Sequence, residues 1–134
     1  MSAGIIFCLE RLRDALAILP GVQSCKIGLE ANLSPDDYPI IRIVPSTLRP
    51  HPERRWLMEC EALIYYGAPI QPFDDAPDSQ GRTRLEKLYA ALLELDASIR
   101  ATVSGRYFEP AETTLDEDRL ETYKLMALKV KVIA

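Results

Sequence analysis

The sequence predicts an α+β fold: a five-stranded sheet, largely antiparallel or mixed, with two helices on one face, in the order α-β-β-β-α-β-β, over residues 1–134 as one domain. Three observations carry that expectation. Residues 56–66, WLMECEALIYY, alternate with a period of two, placing Trp56, Met58, Cys60, Ala62, Ile64 and Tyr66 on one apolar face. Leu57, Glu59, Glu61, Leu63 and Tyr65 fall on the other, mixed face. In residues 120–133, Lys124, Met126, Leu128, Val130 and Val132 alternate with Tyr123, Leu125, Ala127, Lys129 and Lys131. Two further segments repeat with the helical period, and a sheet covered by helices is the simplest packing of such a set.

The first helical segment carries Ile5, Leu9, Leu12, Leu16 and Leu19 at i, i+4, i+7, i+11 and i+14, with Glu10, Arg13 and Asp14 off the stripe. Pro20 and Gly21 end it, because proline lacks an amide donor and disfavours helix in the residue before it. A short strand is expected over residues 24–29, weakened by Gly28, then a turn over 32–37 and a strand over 38–44 between Pro39 and Pro45. Residues 45–55, PSTLRPHPERR, read as a projecting basic hairpin loop stiffened by Pro45, Pro50 and Pro52. After the central strand, GAPIQPFDDAPDSQG is its acidic counterpart. The second helix starts near Thr83, which with Glu86 fits a capping box, and Leu85, Leu88, Tyr89, Leu92 and Leu95 supply its apolar stripe. Residues 101–108 are expected as a strand, 109–118 as an acidic link, and 120–133 as the last strand.

A chain of 134 residues is long enough for one core, burying about two-thirds of the surface its unfolded form exposes. Hydrophobic residues at 48% and charged residues at 27% are ordinary globular values, so a disordered or fibrous class is excluded. The net charge of −4 argues against general nucleic-acid or anionic-membrane binding. No segment is long and apolar enough to span a bilayer, and the apolar N-terminal run is broken by Glu10, Arg11, Arg13 and Asp14, unlike a signal peptide. Cys8, Cys25 and Cys60 are widely spaced and odd in number, the pattern of reduced buried thiols in a cytosolic protein.

Catalytic signatures are absent from the sequence: no Gly-rich phosphate loop, H-E-x-x-H or G-x-S-x-G occurs, so a non-enzyme without cofactor or metal is expected. His51, the only histidine, lies between prolines and reads as a solvated loop residue. The acidic pairs Asp36–Asp37 and Asp74–Asp75 and the cluster Asp116–Asp118 match no calcium-loop pattern. The informative feature is the pairing of loops. Arg49, Arg54 and Arg55 on one projection and Asp74, Asp75 and Asp78 on another are the complementary patches a head-to-tail contact between identical subunits requires. Leu57 and Tyr65, on the mixed face of the strand between the loops, complete the candidate contact set.

The element order, the proline-containing loop before the third strand, the G-R-Y-F-E-P-A-E segment after the second helix, the acidic turn and the terminal strand with alternating Lys and Val together resemble the tailed-phage tail-terminator proteins. These are also called tail-completion or minor tail proteins, and they are encoded in phages and bacterial prophages. The resemblance implies a structural protein of the host cytoplasm during assembly and then of the virion tail. It implies self-association into a ring, usually a hexamer, that caps the tail tube, ends its polymerisation and meets the head connector. Three alternatives stay open: another ring component of the phage neck or head-tail connector, a small cytosolic ligand-binding or hydrolytic α+β domain, and a nucleic-acid-binding module.

Overall fold

A computed structural model of the chain describes residues 3–28, 39–69, 76–103, 107–119 and 123–134. Along the chain lie α1 (Ala3–Ala17), β1 (Ser24–Ile27), β2 (Ile40–Pro50), β3 (Met58–Pro69), α2 (Arg84–Val103), β4 (Phe108–Arg119) and β5 (Tyr123–Ile133). The strands form one five-stranded mixed sheet in the spatial order β1-β2-β3-β5-β4. β1 runs parallel to β2, and the other three pairings are antiparallel. β3 is thus central, flanked by β2 and β5. Among the described residues no helix is long and apolar enough to cross a membrane.

Both helices pack on the sheet face bearing Ile41, Ile43, Cys60, Ala62, Ile64, Tyr66, Met126, Leu128, Val130 and Val132, all buried. The α1 stripe meets this face through Ile5, Leu9, Leu12 and Leu16, with Leu19 partly buried. α1 ends at Ala17, ahead of Pro20 and Gly21: the Leu16 carbonyl accepts from the Leu19 amide (3.2 Å), the Leu19 carbonyl from the Val22 amide (3.2 Å), and Gly21, with a φ of 84°, supplies the left-handed position of that second turn. At the start of α2, Thr83 Oγ1 donates to Glu86 Oε1 (2.8 Å), and the Thr83 carbonyl accepts from the Lys87 amide (2.9 Å).

Under α2 the core holds one polar network. Tyr66 Oη donates to Asp96 Oδ1 (2.6 Å), Thr113 Oγ1 donates to the same oxygen (2.7 Å), and Arg100 Nε donates to Asp96 Oδ2 (2.8 Å). Arg100 Nη2 also donates to Thr113 Oγ1 (2.7 Å), so β3, α2 and β4 are joined through one carboxylate. Burial and the Asp96 acceptor push the Tyr66 hydroxyl well above its ordinary pKa. Burial alone raises the Asp96 pKa, but the hydrogen bonds from Tyr66, Thr113 and Arg100 outweigh it and hold the carboxyl below the usual range.

Several expected boundaries are corrected. Residues 45–50 belong to β2, not to a loop. β1 pairs only with residues 40–43 of β2, so beyond Val44 that strand is a sheet edge, where Pro45 and Pro50 sacrifice no interior ladder bond. Residues 101–103 continue α2, because Ile99, two turns beyond Leu92, and Val103, one turn further, extend the buried stripe of Leu88 and Leu92. The acidic link at 109–118 is strand β4, which sets Glu109 opposite Lys131 and accommodates Pro110 through a register shift between Pro110 and Thr113. Leu85, assigned above to the α2 stripe, is exposed. β1 stops at Ile27, and Gly28 follows with a φ of 94°. The turn expected at 32–37 and residues 29 and 120–122 lie outside the described residues.

Candidate functional site

The turn joining β2 to β3 is built from its own backbone and one imidazole. His51 N–H donates to the Leu57 carbonyl and Leu57 N–H to the Arg54 carbonyl, each at 2.9 Å. His51 Nδ1 accepts from the amides of Glu53 (3.2 Å) and Arg54 (3.0 Å). The histidine therefore orders the turn, and Arg54, Arg55 and Trp56 stand exposed at its apex. Trp56 is the largest correction among the side chains: expected on the core face of β3, it precedes that strand and is 73% exposed. Leu57 is half-buried beneath it.

Around this turn collect apolar side chains that the core does not take. Phe7 (58% exposed) and Ile6 come from the first turns of α1, Leu48 (51%) from β2, and Tyr107 precedes β4. Three depressions run between them. One of about 410 Å3 lies between α1 and the β4 entrance, lined by Phe7, Cys8, Arg11, Leu12, Tyr107 and Phe108. A second of about 290 Å3 lies on the other flank of α1, against Ile6, Leu9, Leu48 and Cys60. A third, about 390 Å3, is a cleft lined by Arg54, Trp56, Leu57, Tyr107, Glu109 and Ile133. Arg11 lies over the Phe7 ring at 5.7 Å from its centroid, adding a cation to the rim of the first groove. Aromatic and aliphatic groups mixed with arginine are the composition of a protein contact surface.

The remaining expected contact residues fare differently. Arg49 Nε donates to Glu59 Oε2 at 2.6 Å, and Lys131 Nζ lies 3.3 Å from the other carboxylate oxygen. Arg49 thereby belongs to a cross-strand ion lattice on the outward sheet face, and its hydrogen bond, against the effect of burial, holds the Glu59 carboxyl below its ordinary pKa. Lys129 continues the lattice between Glu61 (3.9 Å) and Glu112 (3.3 Å). Tyr65 is half-buried on this face, and its neighbours Ile40, Leu125 and Ala127 are buried, so that part is not an open contact surface. Arg42 is buried there too, donating through Nη1 to Ser24 Oγ (2.8 Å) and the Ile41 carbonyl (3.0 Å).

Asp78 is a turn former: its Oδ1 accepts from the amides of Gln80 (2.8 Å) and Arg82 (2.9 Å), which lowers its pKa. Asp74 and Asp75 lie outside the described residues. The candidate set thus comes together only at Arg54, Arg55 and Leu57. Ile6, Phe7, Leu48 and Tyr107 were missed. Ile6 and Phe7 carried a signal, since both are apolar yet fall off the α1 stripe.

Cys8, Cys25 and Cys60 are free thiols among the described residues. No group of three or more His, Cys, Asp or Glu is placed among the described residues to hold a metal. Burial raises the pKa of all three thiols, that of Cys25 to about 11, which keeps them protonated and weakly nucleophilic at neutral pH. A scan against protein-family models and a search of curated proteins return no match to this chain.

Proposed function

We propose that this chain is a structural phage or prophage tail protein that assembles as a ring, caps the tail tube, ends its polymerisation and joins tail to head. The observation that carries the proposal is the apolar and arginine-bearing hairpin end, where Trp56, Phe7, Leu48, Ile6 and Tyr107 are exposed together. A lone globular protein gains nothing from such a collection, whereas an assembly surface buries it. Capping needs no bond made or broken. A ring whose subunits each contribute a modest contact to the tube end binds through the sum of those contacts and blocks the next tube subunit. This reading treats the chain as a non-enzyme whose partners are copies of itself, the tail-tube protein and the head connector.

The test is solution mass combined with tube capping. Light scattering across concentration is expected to show a ring, a hexamer by the resemblance, and addition to growing tail tubes is expected to arrest their lengthening. Trp56→Glu is expected to weaken self-association about 30-fold or more, as loss of an aromatic anchor does, without changing the melting temperature. A protein that stays monomeric at all concentrations and leaves tube growth unaffected overturns the proposal.

A further inference from the structure

The three depressions at the hairpin end differ in charge. Among the side chains that line them, the groove beside Phe7 offers one cation, Arg11, and the groove against Leu48 offers no charge. The cleft of about 390 Å3 offers both signs, Arg54 and Glu109. The two come from different segments. Arg54 and Trp56 reach the cleft from the turn before β3, Tyr107 and Glu109 from the start of β4, and β5 lies between those strands, which sets Ile133 between the two charged sides. Arg54, Trp56, Tyr107 and Glu109 are all exposed. Arg54 and Glu109 enter no ion pair among the described residues, with each other or with a third group, and Lys131, opposite Glu109 in the ladder, has its Nζ 3.3 Å from Glu59. The Arg54 backbone is held in place, its amide donating to His51 Nδ1 (3.0 Å) and its carbonyl accepting from the Leu57 amide (2.9 Å).

We propose that this cleft is a twofold contact between two copies of the chain, in which Arg54 of each copy pairs with Glu109 of the other and Trp56 of each covers Tyr107 and Ile133 of the other. Charge decides the occupant. Half a turn of rotation brings the cationic side of each cleft onto the anionic side of its mate, so one surface, used twice, matches both charges. A partner carrying a single sign of charge leaves either Arg54 or Glu109 facing its like. The indole, phenol and guanidinium groups gathered here are also those enriched at the centre of protein contacts. The inference goes beyond the ring reading and does not need it. A ring joins two different surfaces, whereas this contact closes on two copies: it yields a dimer of the free chain and, where rings form, joins two of them face to face. The grooves beside Phe7 and Leu48 are left for other contacts.

Two single charge reversals test it, Arg54→Glu and Glu109→Arg, each purified separately. Alone, each is expected to pair at least about 30-fold more weakly than the parent in sedimentation equilibrium, with an unchanged melting temperature, because like charges then meet at both symmetry-related positions. Mixed, they match both positions again, and native mass spectrometry is expected to show pairs made of one variant with the other. The chain carrying both substitutions is expected to pair with itself as the parent does. A parent with no pairing step at any concentration, reversals that leave pairing unchanged, a mixture that stays unpaired, or a mixture that grows by alternation beyond a pair overturns the twofold contact. Tail-tube growth separates this result from the ring reading. Tubes capped by a ring that both reversals leave intact and unpaired remove the contact and keep the ring, while a dimer that obeys the reversals and leaves tube growth unaffected keeps the contact and removes the ring.

Discussion

At the scale of single residues, Asp96 is the group whose chemistry most affects the fold. Its carboxylate accepts from Tyr66, Thr113 and Arg100, and those bonds hold its folded pKa below the ordinary value near 3.9. The sign follows directly: the carboxylate's contribution is present above the unfolded pKa and is lost as pH falls through the folded one. Asp96→Asn is expected to cost about 2 kcal/mol at pH 7, since it removes the charge from three bonds and turns an amide toward Arg100. Urea unfolding at pH 7 and at pH 3 checks it, the difference from the parent shrinking at the lower pH. Tyr66→Phe leaves the carboxylate two donors and is expected to cost less, about 1 kcal/mol, in the same measurement. None of this network was legible in the sequence. Tyr66 on β3 and Asp96 within α2 are 30 residues apart, and nothing in their local pattern says that a hydroxyl on the core face will find a carboxylate.

Among the elements, the helices and the central strand were the most legible, because one-sided burial imposes a period and the period survives in the sequence. The α2 cap is the clearest local case. Glu86 reaches back to Thr83, its Oε1 accepting from the Thr83 hydroxyl (2.8 Å) and amide (3.5 Å), which is the glutamate half of the capping box that their spacing predicts, and Thr83→Ala is expected to destabilise the protein by about 1 kcal/mol in chemical denaturation. The misreadings share a cause: local composition was overridden by tertiary placement. Residues 101–103 look like strand by their Thr and Val, yet burial of Val103 draws them into the helix. The acids of 109–118 look like a solvated link, yet an edge strand beside the Lys129 and Lys131 of β5 tolerates them. Trp56 continues the alternation of β3 in sequence, but the turn ordered by His51 includes it and the strand begins two residues later. Half of the candidate site was hidden for the same reason. Phe7, Leu48 and Tyr107 come from three separate segments that only the fold brings to one end.

For the molecule as a whole, the charge arrangement separates folding from association. The Lys129–Glu112 pair lies on the sheet surface and is partly solvated, so it adds little to stability, whereas in the Arg49–Glu59 pair the carboxylate is buried and the arginine exposed. In the proposed assembly the arginines at the hairpin apex act between molecules instead. Raising sodium chloride from about 0.05 M to about 0.5 M shortens the screening length from roughly 14 Å to 4 Å and is expected to weaken self-association markedly while moving the melting temperature little. Parallel sedimentation and thermal-unfolding series check this, and a loss of fold in step with a loss of association would contradict it.

The prolines at the sheet margins have a further consequence for how the molecule keeps company with itself. On one side, β2 beyond Val44 lacks amide donors at Pro45 and Pro50; on the other, β4 carries Pro110 and two interruptions of its ladder. Neither margin is a regular row of donors and acceptors on which another strand can template. Strand addition along β2 beyond Val44 and along β4 is disfavoured for that reason, which leaves the four residues of β1 as the one short regular edge among the described residues. In the proposed ring, association is then left to side chains, which would make it reversible and give it a definite stopping point.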